Sequence, residues 1–277
     1  MTDLPPLPSL GGSPGLDGLP PLPTLGAVNR RPPANGARRA WQPATVTAVS
    51  DLTPTARSFF FALPAGTERH VPGQHYDIRL TAPDGSQAQR SYSIASAPGA
   101  RGDAPTVELS VERIADGAVS PYLHDLVHVG DSVELRGPFG GWFIWRGDTP
   151  VVLVGGGSGI VPLMSMLRYW RALGRPVPLH LVVSVRTPEG LYYAEELAAE
   201  GASVTVVYTR AAPEGAERPP GRLSAADLAH VVRPFLGLPG ATAYVCGGAG
   251  FAETASQLLV ELGLDRSAVR VERFGPG

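Results

Sequence analysis

Arg90-Ser91-Tyr92-Ser93-Ile94-Ala95-Ser96 puts a cation, an aromatic ring and a hydroxyl within one strand's reach, and the rest of the chain is read outward from it. On a strand alternate side chains share a face, so Arg90 and Tyr92 point one way and Ser91 and Ser93 the other. That layout suits a large, flat, phosphate-bearing ligand. An arginine grips phosphate bidentately, a phenol ring lies against a heteroaromatic plane, and the Ser93 hydroxyl reaches a ring nitrogen if the strand bends there. Taken alone, the stretch also describes an edge strand with alternating polar residues, so its context along the chain decides.

From Trp41 to about Trp145 short strand-like runs are separated by turn signals such as Val71-Pro72-Gly73-Gln74 and Pro83-Asp84-Gly85-Ser86. The expected strands are 44–50, 57–63, 76–81, 89–95, 106–112 and 132–135, with one helix over 120–127. Six short strands at this spacing predict an antiparallel six-stranded β-barrel. After Pro150 the period changes. Strands over 151–154, 179–185, 204–208, 243–246 and 269–271 alternate with helices over 162–173, 192–199, 225–232 and 252–262. Apolar strands with helical crossovers predict a parallel five-stranded, doubly covered α/β sheet, a Rossmann-like domain. The expected division is therefore a barrel domain over 41–146 and an α/β domain over 150–277. Residues 1–40, rich in Pro, Gly and Leu and repeating Leu4-Pro5-Pro6-Leu7-Pro8 as Leu19-Pro20-Pro21-Leu22-Pro23, read as an extended, unfolded tail.

Composition excludes several classes. The 277 residues are 43% hydrophobic and 17% charged with a net charge of -2, ordinary for a chain that forms a core and without the basic stripe of a nucleic-acid binder. All 23 basic residues are arginine, which removes a P-loop lysine and a Schiff-base lysine together. One cysteine, Cys246, is too few for an iron–sulfur cluster held by four thiolates, and no metal site is expected. No apolar run is long enough for a membrane span or a secretory signal, so a cytoplasmic location is expected.

Three further stretches follow Arg90–Ser96 in order: Gly137-Pro138-Phe139-Gly140, Gly155-Gly156-Gly157-Ser158-Gly159-Ile160-Val161-Pro162, and Cys246-Gly247-Gly248-Ala249-Gly250-Phe251. Together the four resemble the ferredoxin-NADP reductase family of flavoproteins, from about residue 41 onward. The resemblance implies FAD in the barrel, with Arg90 on its phosphate, Tyr92 stacked on the isoalloxazine, Ser91 beside them and Ser93 near N5. It also implies that Gly117, Val119 and Ser120 form a second phosphate-binding turn, in accord with the unpaired N–H groups and positive dipole end that a helix start offers.

Gly155, Gly156, Gly157, Gly159, Ile160 and Pro162 follow an apolar strand and open a helix, the setting of a dinucleotide loop, although the spacing departs from Gly-x-Gly-x-x-Gly. Ser184, Arg186 and Arg210 fall at strand ends where an adenosine ribose sits, and arginine there favours a 2′-phosphate. NADPH is the expected donor and NADH the second candidate. Cys246 and Gly247 match the family's position beside the nicotinamide C4 carbon, where a thiol positions and does not attack. Val271-Glu272-Arg273-Phe274 resembles the family's terminal Glu-x-aromatic, in which the aromatic covers the flavin and the glutamate moves protons. Phe274 replaces the tyrosine of plant-type members, and Gly275-Pro276-Gly277 extends past it.

The function so implied is an FAD-dependent NAD(P)H reductase, with Ser93, Cys246 and Glu272 as its catalytic set. Hydride passes from nicotinamide to flavin N5, and single electrons then go to an external acceptor such as a separate ferredoxin, a haem or another redox partner. The alternative is a flavin-binding electron-relay or regulatory subunit of a larger oxidoreductase.

Overall fold

The computed structural model describes residues 39–82, 84–99 and 105–275. The expected proline-rich tail lies outside them as far as residue 38. The first sheet comprises β1 (Gln42–Thr53), β2 (Ala56–Ala62), β3 (His75–Thr81), β4 (Gln87–Ser93), β5 (Thr106–Glu112) and β6 (Ser132–Phe139), in the spatial order β4-β3-β6-β1-β2-β5 with every pairing antiparallel. Alternate residues of its strands face the barrel interior. In β5 Val107, Leu109 and Val111 enter a core shared with Phe59, Phe61, Ile78 and Leu135. The outer strands of the order, β4 and β5, meet just past the end of β4. Ile94 bridges Leu109, and the Ala95 N–H donates to the Glu108 carbonyl at 2.8 Å. Helix α1 (Ser120–Leu126) crosses between β5 and β6 and buries Leu123 in the same core.

The second sheet contains β7 (Val151–Gly156), β8 (Leu179–Val185), β9 (Val204–Tyr208), β10 (Thr242–Gly248) and β11 (Val269–Phe274), all parallel, in the order β11-β10-β7-β8-β9. Helices α2 (Ile160–Ala172), α3 (Ala194–Ala198), α4 (Ala225–Val232) and α5 (Ala249–Glu261) connect the strands. Alternate residues of β7 enter different cores. Val151 and Leu153 pack with α2, whereas Val152 and Val154 pack with α4 and α5. Burial on both faces is why this strand is an unbroken apolar run. The α2 core does not stop at the domain border, because Ala56 and Ala95 from the barrel join it with Trp145, Tyr192 and Tyr193.

The expectation of a helix from 192 to 199 is corrected at its start. Tyr193 has φ 56°, in the left-handed region, and α3 begins only at Ala194. Both tyrosines are instead turned into the domain junction.

Candidate functional site

The expected site residues fall on both sheets, and those at the border between them are Cys246 and Phe274, which share a core with Ala56 and Ala95 of the barrel. In β4, Arg90 lies opposite Ile78 and Tyr92 opposite Tyr76. Both partners are core residues, so Arg90 and Tyr92 sit on the barrel's inward face, on the edge of β4 that carries no ladder to β5. Tyr92 packs half-buried against the core; burial pushes its phenol up, and the Arg90 charge opposes that shift. Arg90 is exposed, bonds the Gln89 carbonyl at 2.8 Å, and has no acidic partner among the described residues. Ser93 is buried at the end of β4, opposite His75. On the inward face, an exposed cation with no acidic partner among the described residues, beside a half-buried phenol ring, fits a phosphate-bearing ring system.

Two expected contacts are modified. The Ser91 hydroxyl donates to Asp77 at 2.6 Å on the outward face, so it serves the sheet. The Ser120 hydroxyl accepts the Ile114 N–H at 3.0 Å, and the Gly117 N–H donates to the Ile114 carbonyl at 2.9 Å. Both close the turn before α1. The Val119 side chain is buried in the barrel core, so what this turn offers a ligand is backbone.

In the second sheet β7 and β10 are neighbours, and the crossovers leave them in opposite directions, the switch point at which open α/β sheets take ligands. Gly155 and Gly156 end β7, a single 3₁₀ turn over Gly157–Gly159 follows, and Ile160 opens α2 with Pro162 buried in its first turn. Glycine is required sterically here. A Cβ on Gly159 would fall on the Cys246 carbonyl, and one on Gly156 would come within 2.5 Å of the Phe251 ring, which also covers Gly247. Phe251, whose ring closes over Gly156 and Gly247, is a candidate that sequence reasoning missed; its signal was an aromatic in the first turn of the helix after Cys-Gly-Gly. Ser184 is buried at the end of β8, while Arg186 and Arg210 are exposed just past β8 and β9. The Arg210 N–H donates to the Arg186 carbonyl at 2.9 Å, so the two arginines are neighbours, and neither has an acidic partner among the described residues.

The C-terminal strand completes the junction. Cys246 is paired in register with Glu272, and Gly248 with Phe274. The Cys246 thiol is wholly buried and pushed well up, first by burial and then by the Glu272 charge, so it is a packed, protonated thiol and not a nucleophile. The Glu272 residue as a whole is half-buried, yet its Oε2 is sealed from solvent without a hydrogen-bond partner, and burial raises the carboxyl to about 7. Phe274 packs, half-buried, on the core that holds Cys246 and Ala95. Among the described residues no cluster of His, Cys, Asp and Glu could hold a metal ion, and no helix is long and apolar enough to cross a membrane.

Comparison with known proteins agrees with this geometry. The family model for an oxidoreductase FAD-binding domain matches residues 43–144, and that for an oxidoreductase NAD-binding domain matches residues 153–257. The reductase component of propane 2-monooxygenase from Rhodococcus jostii (strain RHA1) is 31% identical over 219 residues, which are 76% of this chain and 57% of that protein. A Ralstonia sp. ferredoxin--NAD(P)(+) reductase component of naphthalene 1,2-dioxygenase/salicylate 5-hydroxylase systems is 30% identical over 233 residues, 84% of this chain and 68% of that protein. The chain thus spans between about half and two thirds of these relatives. Among solved structures, the flavohem-like FAD/NAD binding domain of nitric oxide dioxygenase from Vibrio cholerae O1 biovar El Tor superposes with a TM-score of 0.72 at 26% identity, covering 85% of this chain and 99% of that one. A barrel matched as FAD-binding, a switch-point sheet matched as NAD-binding and relatives that share both place the chain in the ferredoxin-NADP reductase-like family of FAD- and NAD(P)-binding oxidoreductases.

Proposed function

We propose that the protein is an FAD-dependent NAD(P)H reductase that delivers electrons to a separate redox partner, from a cytoplasmic location. The observation that supports this reading is the domain border itself: Ala95, just past the Arg90–Ser93 strand, shares a core with Cys246 and Phe274, and beside Cys246 in register stands Glu272 with an orphaned buried oxygen. Arg90 and the backbone of the Gly117–Ser120 turn would hold the flavin's phosphates, and Tyr92 and Phe274 would cover its rings. The Gly155–Ile160 loop, with Gly247 and Pro162, would hold the nicotinamide dinucleotide, and Ser184, Arg186 and Arg210 its adenosine end. FAD held there would supply the chemistry of hydride acceptance and single-electron release. The chain itself would orient the two groups, with Ser93 on the flavin side, Cys246 on the nicotinamide side and a protonatable Glu272 next to Cys246 in register. The relatives named above are reductase components of oxygenase systems, which supports a ferredoxin or another external redox protein as acceptor. The test is an anaerobic titration of the purified protein: a yellow chromophore bleached by NADPH or NADH is expected. A colourless protein that FAD cannot reconstitute overturns the reading.

A further inference from the structure

Glu108, Ser110 and Glu112 alternate on β5 with the three apolar residues that fill the barrel, and so face outward. Their cover is the nucleotide domain. The Tyr193 hydroxyl shares a 2.6 Å hydrogen bond with Ser110, and the Tyr192 hydroxyl donates to Glu112 at 2.7 Å. Arg168 of α2 donates to the buried Glu108 carboxylate at 2.5 Å and to the Ala95 carbonyl at 3.0 Å. The same guanidinium grips Glu196 at 2.7–3.1 Å and lies 4.9 Å from the Tyr193 ring centre. One turn earlier on α2, the Ser165 hydroxyl donates to the Ser96 carbonyl at 2.6 Å.

The placement of these bonds gives them a consequence beyond stability. Ala95 and Ser96 follow directly on the Arg90–Ser93 strand, and α2 starts at the end of the glycine loop. Arg168 stands eight residues into that helix, roughly 12 Å along its axis at 1.5 Å per residue. One rigid element therefore runs from the dinucleotide loop to the flavin strand, and Arg168 fastens its far end.

We infer that Arg168 is a positioning residue: through Ala95 and Glu108 it sets the distance and angle between the dinucleotide loop and the flavin strand, and hence the approach of nicotinamide to flavin. This rests on the proposed function. A lysine would not reproduce it, because a single ammonium cannot serve Glu108, Ala95 and Glu196 with the planar fork of a guanidinium.

The test uses the full chain loaded with FAD and two variants, Arg168→Lys and Arg168→Met combined with Glu108→Gln, the second removing the charge that Arg168→Met would strand. In anaerobic stopped-flow mixing with saturating nucleotide, flavin bleaching is expected to slow on the order of 10- to 100-fold. FAD content and nucleotide Kd should stay unchanged, while the long-wavelength charge-transfer absorbance of the nicotinamide–flavin pair should weaken. In the flavin-free protein, a single melting transition should split into two as the domains uncouple. Native bleaching rate, charge-transfer absorbance and melting profile in both variants would overturn the inference. If Arg168→Met/Glu108→Gln does not fold, Arg168→Lys alone decides. A wild-type protein that no nucleotide reduces would instead sink the proposed function, and the flavin-free melting profile would still judge the clasp.

Discussion

Glu272 shows how a single side chain carries information about the site. Its Oε2 is buried with no donor near it, and that desolvation lifts the carboxyl from 4.5 to about 7. Between those values the folded chain keeps a proton that the unfolded chain has released, so this group's contribution to stability falls as pH rises through the window. Above it the cost is complete, up to about 3 kcal/mol at 1.36 kcal/mol per pKa unit. Glu272→Gln should therefore melt higher than the wild type at pH 8 and level with it near pH 4.5 in the flavin-free protein. An equal gap at both pH values would show that the carboxyl is not strained by burial. Gly159 makes a complementary case. A methyl group there would overlap the Cys246 carbonyl, so Gly159→Ala must push β10 from the loop. Its cost should be about 1–3 kcal/mol, the range for overpacked interiors, read as a lowered melting temperature. Flavin content should persist while nucleotide reduction is lost, since the barrel residues are untouched.

At the scale of elements, the parts of the chain far from the junction should affect stability alone. Ser224 caps α4 with its hydroxyl to the Asp227 N–H, Asp227 returns the bond to the Ser224 N–H, and Arg218 forks onto the same carboxylate. Ser224→Ala should cost about 1 kcal/mol in chemical denaturation and leave flavin reduction as it was; a slowed reduction would mean that α4 reaches the site. The strands and most helices were legible because their causes are local: β7 reads as a buried parallel strand from Val151 to Val154, and the turn before α2 from its glycines. The start of α3 was not legible, because Tyr192 and Tyr193 answer to Glu112 and Ser110 some eighty residues away, and that pull holds Tyr193 at positive φ where an isolated helix would not. A separation of 60 residues likewise hid the Arg168–Glu108 pair. Order and spacing placed the candidate site residues on their strands and turns, whereas the local engagement of the Ser91 and Ser120 hydroxyls depends on Asp77 and Ile114, which only the fold brings into reach.

On the scale of the whole molecule, the two cofactor sites are built on different sheets, each with its own core, and joined by a third core that spans the border. Changes to the adenosine end of the nucleotide site should therefore leave the flavin site intact. Arg186 and Arg210 stand together past β8 and β9, exposed and without acidic partners among the described residues, which suits a 2′-phosphate with its two negative charges. Burial raises the Tyr208 phenol and the Glu189 charge adds to it, so one acid lies in the turn just past Arg186, near the end of β9. If the arginines prevail, the wild type prefers NADPH, and Arg186→Ala/Arg210→Ala should raise the KM for NADPH about 10- to 100-fold, a loss of two charged hydrogen-bond donors. The KM for NADH should scarcely change and FAD should remain bound. Because both arginines are exposed, added salt should weaken NADPH binding in the wild type far more than in the double variant. Glu189→Gln should move the preference further toward NADPH. An NADPH-to-NADH ratio that neither substitution alters would mean that the adenosine lies elsewhere on the sheet, and that these arginines are ordinary surface charge.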